Sequence, residues 1–163
     1  MAQPQELCII SGGQTGADRA ALDFAIRLGL EHGGWCPQGR RAEDGPIDEM
    51  YQLQETSRVK YDQRTRWNVR DSDATLLVTI GRELSGGTGI TAQAAQRQGK
   101  PWLHVSRETT ADLREAGRQV HEFLRQHNVH RLNVAGPRAS QEPEVGLFVE
   151  SLLTVALVEE NSA

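Results

Sequence analysis

Hydrophobic positions along the chain follow two rhythms. Apolar-rich runs at residues 7–10, 74–80, 102–105 and 131–135 have the length of buried strands, and the near-continuous stretch from Leu76 to Val78 suits a central position in a sheet. Between them, apolar residues recur every three or four positions: Ala21, Leu22, Ala25 and Ile26; Leu113, Ala116, Val120, Phe123 and Leu124; Val145, Phe148, Val149, Leu152 and Leu153. That spacing places each set on one face of a helix. A weaker strand is expected near Gly34-Trp35-Cys36, stopping at Pro37, and an irregular helical pattern runs from Asp48 to about Arg66. Thr15 with Asp18, and Thr109 with Asp112, have capping-box spacing and predict two helix starts. Further helices are expected from about Thr88 to Arg97, and after Ser140 with Pro143 in the first turn.

Alternating strands and helices predict an α/β fold, a doubly wound parallel sheet with helices on both faces. The 163 residues suit one domain, 1–163, and no repeat or linker divides them. Two turns interrupt this pattern with the same chemistry. Ser11-Gly12-Gly13-Gln14-Thr15-Gly16 and Ser85-Gly86-Gly87-Thr88-Gly89 each follow a predicted strand and open a predicted helix. Bare backbone N–H groups and the positive end of a helix dipole make such a turn an anion site. Parallel sheets bind ligands beyond the C-terminal strand ends, where strand order reverses. If the two strands are neighbours there, both turns wall one cleft around a phosphate-bearing ligand. Neither turn has the Walker A or dinucleotide-binding spacing, which disfavours ATP hydrolysis and NAD-linked chemistry.

The glycines of the two turns would bring backbone close to a phosphate, with Ser11, Gln14 and Ser85 as fellow turn members and hydroxyls from Thr15 and Thr88. Arg40, Arg41 and Arg138 follow strand ends and could fork onto phosphate or carboxylate oxygens. Glu43 and Asp44 read as solvated loop carboxylates, and His121, His127 and His130 as surface residues. Of the three tryptophans, Trp35 is the stacking candidate for a flat ring, and Trp102 reads as core.

With 18 basic and 22 acidic residues the net charge is −4, which argues against nucleic-acid or membrane-surface partners. Apolar residues at 37% and charged residues at 25% describe a globular chain. The first six residues lack a basic start and a long apolar stretch, so no leader or membrane span is expected. Two cysteines, Cys8 and Cys36, form no metal or disulfide pattern, and a cytoplasmic location is the simplest expectation.

The segment from Ile9-Ile10-Ser11-Gly12-Gly13-Gln14-Thr15-Gly16-Ala17-Asp18 to Asp23 resembles the opening of the molybdenum carrier family. So do Gly34-Trp35-Cys36-Pro37-Gln38-Gly39-Arg40-Arg41-Ala42-Glu43-Asp44-Gly45, Tyr61 with Arg64-Thr65, Asn68-Val69, Ser72-Asp73, Gly86-Gly87-Thr88 and Leu132-Asn133-Val134-Ala135-Gly136-Pro137. The resemblance implies a Rossmann-like fold, shared with DprA and the LOG-type phosphoribohydrolases. It also implies a cytoplasmic homo-oligomer that binds the molybdenum cofactor, or molybdate, and passes it to molybdoenzymes. The cofactor (molybdopterin) is a phosphate-bearing pterin. Its expected binding set is Ser11, Gly12, Gly13, Gln14, Thr15, Gly16, Asp18, Cys36, Arg40, Ser85, Gly86, Gly87, Thr88, Gly89, Asn133 and Arg138, with no catalytic residue and no resident metal. The LOG motif ends in a glutamate that works at the ribosyl bond, where this chain has Gln93. An amide cannot supply that acid–base assistance, worth roughly 10²–10⁴-fold, so binding is favoured over hydrolysis. A sensor of nucleotide or ADP-ribose-type ligands, and a nucleoside-monophosphate N-glycoside hydrolase using Asp18, are the alternatives.

Overall fold

Short strands, too apolar to leave in water, are laid side by side in the computed structural model, which describes residues 6–162. The stretch read above for leader character lies outside the described residues, except for Glu6. The chain runs β1 (Cys8–Ile10), α1 (Ala17–Leu28), β2 (Glu31–Gly33), β3 (Trp35–Cys36), β4 (Arg41–Ala42), β5 (Gly45–Pro46), β6 (Gln54–Glu55), α2 (Tyr61–Arg70) and β7 (Ala74–Thr79). It continues through α3 (Gly86–Arg97), β8 (Trp102–Ser106), α4 (Leu113–Gln126), β9 (Arg131–Ala135) and α5 (Val145–Thr154). A π-helical stretch, Val155–Glu159, prolongs α5.

The main sheet has five parallel strands in the order β2-β1-β9-β7-β8. Alternate side chains serve opposite faces. Ile9, Leu76, Val78, Leu132 and Val134 join the core built with Phe24 of α1, Val120 of α4 and Leu152 of α5. On the other face Leu77 and Ala135 meet Ala92 of α3, while Val69 of α2 packs with Ala94 and Ala95. The expected parallel α/β sheet with helices on both faces is therefore what forms.

Several local expectations are corrected. The second sheet strand is Glu31–Gly33, and Trp35–Cys36 instead pairs with Gln54–Glu55 in a separate two-stranded ribbon. Of the irregular helical region only Tyr61–Arg70 is helical; Arg41–Ala42 and Gly45–Pro46 make a small antiparallel hairpin before it. Helix α3 starts at Gly86, two residues early, and α5 starts at Val145, after Pro143. Neither capping box forms. Gly16 caps α1 without a side chain, and Asp112 is itself the N-cap of α4, accepting from Arg114 N–H at 3.0 Å. Thr109 hydroxyl turns back to the Ser106 carbonyl.

The most consequential correction concerns topology. Strands β1 and β7, which carry the two glycine turns, are not neighbours, because β9 lies between them. The loop after β9, Gly136-Pro137-Arg138, thus enters the same edge of the sheet between the two turns. Gly136 allows this close approach: a Cβ there would collide with the Val78 carbonyl and the Ala17 side chain.

The cap assignment predicts unequal losses on α4. Asp112→Ala should cost about 1 kcal/mol, read as a lower urea midpoint at unchanged slope. Thr109→Ala should stay within ~0.5 kcal/mol of the parent; equal losses would contradict the assignment.

Candidate functional site

The first glycine turn folds its donors back onto the chain. Gly13 N–H donates to Ser11 Oγ at 3.2 Å, Gln14 N–H to Asp18 Oδ2 at 3.3 Å, Thr15 N–H to Gln14 Oε1 at 3.0 Å, and Ala17 N–H to the Pro137 carbonyl at 3.2 Å. Gly13 and Gly16 both have positive φ, which suits glycine. The Ser11 hydroxyl donates to the Asp18 carbonyl at 3.0 Å, so the turn is stitched to the first turn of α1. Thr15 is bound up too: its hydroxyl donates to Glu43 and accepts from Ala139 N–H. Glu43 also accepts from Ser140, and these hydrogen bonds hold its carboxyl below the usual range.

Asp18 is buried, and burial pushes its carboxyl up, opposed by the Arg64 guanidinium and by the Gln14 N–H. Arg64 Nη1 lies 3.3 Å from Asp18 Oδ2. Its guanidinium covers Gly12 so closely that any Cβ there would displace it. Helix α2 is positioned for this by Asn68, one turn along from Arg64 on the same face. The Asn68 side chain accepts from Trp35 N–H at 2.7 Å and donates to the Trp35 carbonyl at 3.0 Å. Arg64 Nε is buried and has no hydrogen-bond partner among the described residues.

The second turn is the opposite case. Among the described residues, no acceptor meets the N–H groups of Gly86, Gly87 or Thr88, and Ser85 supplies no side-chain cap. The Gly89 N–H is the first to be satisfied, by the Ser85 carbonyl at 3.2 Å. A Cβ at Gly86 or Gly87 would meet nothing within 4 Å, so this backbone faces open space. Three free donors at the positive end of a twelve-residue helix are what an anion needs.

Both turns reach one cleft of about 300 Å³. Gln14 and Asp18 contribute from the first turn and α1, Gly86, Gly87 and Thr88 from the second, Gly136, Pro137 and Arg138 from the loop after β9, and Tyr61 and Arg64 from α2. Gln14 is 5% exposed, and its amide oxygen is fixed by accepting from Thr15 N–H and Glu43 N–H. Its NH2 group therefore remains as a donor, with no acceptor among the described residues, in a side chain that lines the cleft. Exposed Arg138 makes no side-chain hydrogen bond or ion pair among the described residues, although its charge helps hold Glu43 ionised. The cleft thus carries an unspent amide, three unspent N–H groups and a free guanidinium.

Other expected site residues lie elsewhere. Cys36 is fully buried against Leu22, Ile47 and Tyr51, and burial raises its thiol pKa. Arg40 spends its guanidinium on the carbonyls of Ile47, Asp48, Tyr51 and Leu53. Asn133 is buried in the sheet, donating to Thr75 Oγ1 at 3.2 Å. Ser11, Gly12, Gly13, Thr15 and Gly16 shape the first turn, and Ser85 and Gly89 flank the second, without lining the cleft. Arg41 and Gln93 are exposed away from it. Trp35 is engaged edge-on with Trp67 at 4.7 Å and donates to Asp71 at 2.8 Å, so it is not a free stacking surface. Sequence reasoning missed Arg64 and Tyr61 as cleft residues. They stood in a quoted motif, but only packing of α2 on the first turn shows their use. No group of three or more His, Cys, Asp or Glu among the described residues is placed to hold a metal, and no helix is long and apolar enough to cross a membrane.

Residues 9–157 match the model of the circularly permutated YpsA SLOG family, cpYpsA. The fold is similar to the crystal structure of a protein from Syntrophus aciditrophicus SB named "putative molybdenum carrier protein", with a TM-score of 0.92 and 44% sequence identity over 96% of this chain and 98% of that one. No curated protein matches the chain.

The buried Asp18–Arg64 pair makes a pH-dependent prediction. Because the folded chain binds the Asp18 proton more tightly than the unfolded chain, Asp18 favours folding in acid, and that contribution is lost as pH rises from the ordinary aspartate range through its raised value. Removing Arg64 should exaggerate this. Arg64→Ala should lose about 3 kcal/mol at pH 7, lose less near pH 4, and recover most of the loss when combined with Asp18→Asn. A loss independent of pH in denaturant titrations would contradict the pairing.

Proposed function

Given that the chain belongs to the circularly permutated YpsA SLOG family, we propose that it is a binding and carrier protein for a phosphate-bearing small molecule, the molybdenum cofactor. The observation that carries this reading is the unspent donor set at the start of α3, facing a cleft that also holds Arg138 and the Gln14 amide. The phosphate sits on the N–H groups of Gly86, Gly87 and Thr88, where charge-assisted hydrogen bonds to backbone donors are strongest. Gln14 and Arg138 take further oxygens of the cargo. The name of the similar Syntrophus protein supports molybdenum cargo.

The residues present suit such a cargo. A volume of about 300 Å³ is at the small end of ligand pockets, about 300–1,000 Å³. It accepts the phosphate end of a molecule and leaves the remainder at the open rim. Buried Cys36 offers no thiolate to a metal, so the cargo is held through oxygen acceptors rather than through a protein sulfur. Recipient molybdoenzymes and a homo-oligomeric, cytoplasmic carrier complete the proposal.

Gly87→Asp tests it, because the new carboxylate stands among the phosphate donors in open space, where it leaves the fold intact. Parent protein incubated with molybdenum cofactor should co-elute with it on gel filtration, detected by fluorescence of the oxidised pterin. The variant should lose that co-elution by at least tenfold at an unchanged thermal midpoint. Parent protein that elutes free of pterin, or a variant that retains it, would overturn the reading.

A further inference from the structure

The cleft has a second part that phosphate binding does not use. Tyr61 of α2 and Ile90 of α3 both line it, yet they are 42% and 45% exposed. Ile90 stands three residues beyond Gly87, close to one helical turn and ~4.5 Å along the helix axis. Tyr61 is steadied by Arg64, whose guanidinium carbon lies 5.6 Å from the ring centroid, and Arg64 is anchored in turn on buried Asp18. The Tyr61 hydroxyl makes no hydrogen bond among the described residues. An aromatic ring and a branched aliphatic side chain, both left exposed in the cleft that holds the free N–H groups, the latter within a turn of them, offer an apolar contact surface to a ligand.

We propose that Tyr61 and Ile90 form a subsite for a flat heteroaromatic ring carried on the same molecule as the phosphate. This rests on the reading of Gly86–Thr88 as the phosphate site, and it adds the residues, left unassigned there, that would discriminate between phosphorylated molecules. Bare backbone donors accept any phosphate. Stacking on Tyr61 admits those with a planar ring about one sugar or short linker away, and tolerates different ring edges because every such ring has a π face. Trp35, which the sequence favoured for this task, is turned to Trp67 and Asp71.

Calorimetric titration with guanosine 5′-monophosphate, which has a flat ring, and with ribose 5-phosphate, which has none, tests the subsite. The parent should bind the nucleotide at least fivefold more tightly than the sugar phosphate. Tyr61→Ala should weaken nucleotide binding by about 5- to 150-fold and leave the weaker sugar-phosphate binding within twofold, while Tyr61→Phe keeps the parent preference. Equal affinities in the parent, or a Tyr61→Ala loss shared by both ligands, would overturn the subsite alone. Absence of binding by either ligand to the parent would overturn the phosphate reading and the subsite with it. Gly87→Asp should abolish both affinities if the phosphate reading holds.

Discussion

A buried carboxylate needs a cation and hydrogen bonds, and Asp18 obtains both from parts of the chain that are far apart in sequence. It accepts from the Gln14 N–H of its own turn and from Arg64, forty-six residues on. The cost of leaving either charge unpaired out of water fixes α2 against the first glycine turn. That contact makes one wall of the cleft, places Tyr61 at its edge and closes Gly12 off from any ligand. The pair works with Asn68, whose amide ties the same helix to the backbone at Trp35.

The two glycine turns, so alike in sequence, divide the labour. The first commits the N–H groups of Gly13, Gln14, Thr15 and Ala17 to Ser11, Asp18, Gln14 and Pro137, and contributes to the cleft mainly the oriented amide of Gln14. The second leaves its donors open. A helix N-terminus whose N–H groups are mostly committed has less to offer an anion, and the uncommitted run of donors is at Gly86–Thr88. Glu43 and Asp44 reinforce the difference: Glu43 bridges Thr15 and Ser140, and Asp44 pairs with Arg19, which also holds the Gly13 carbonyl. Their hairpin makes the first turn a rigid shoulder of the cleft.

Apolar periodicity was enough to read the parallel sheet, its main helices and the edge on which the ligand would lie, because these depend on local pattern. Strand order was not legible. That β9 inserts between β1 and β7 is decided by packing among elements more than fifty residues apart, and it brings Arg138 into the cleft while β9 itself buries Asn133. Capping spacing misled for a similar reason: Asp18 serves Gln14 and Arg64 rather than a neighbouring threonine. Arg40 and Cys36 stood in motif segments, but one holds a loop together and the other fills a small core, roles that residue type alone does not separate from ligand binding.

Titration of isotopically labelled protein with inorganic phosphate, followed by the shifts of individual backbone amides, tests this division most directly. The amides of Gly86, Gly87 and Thr88 should move with saturation, while those of Gly13, Gln14, Thr15 and Ala17, already committed within the chain, stay nearly still. Movement centred on the first turn, or none at the start of α3, would contradict the account.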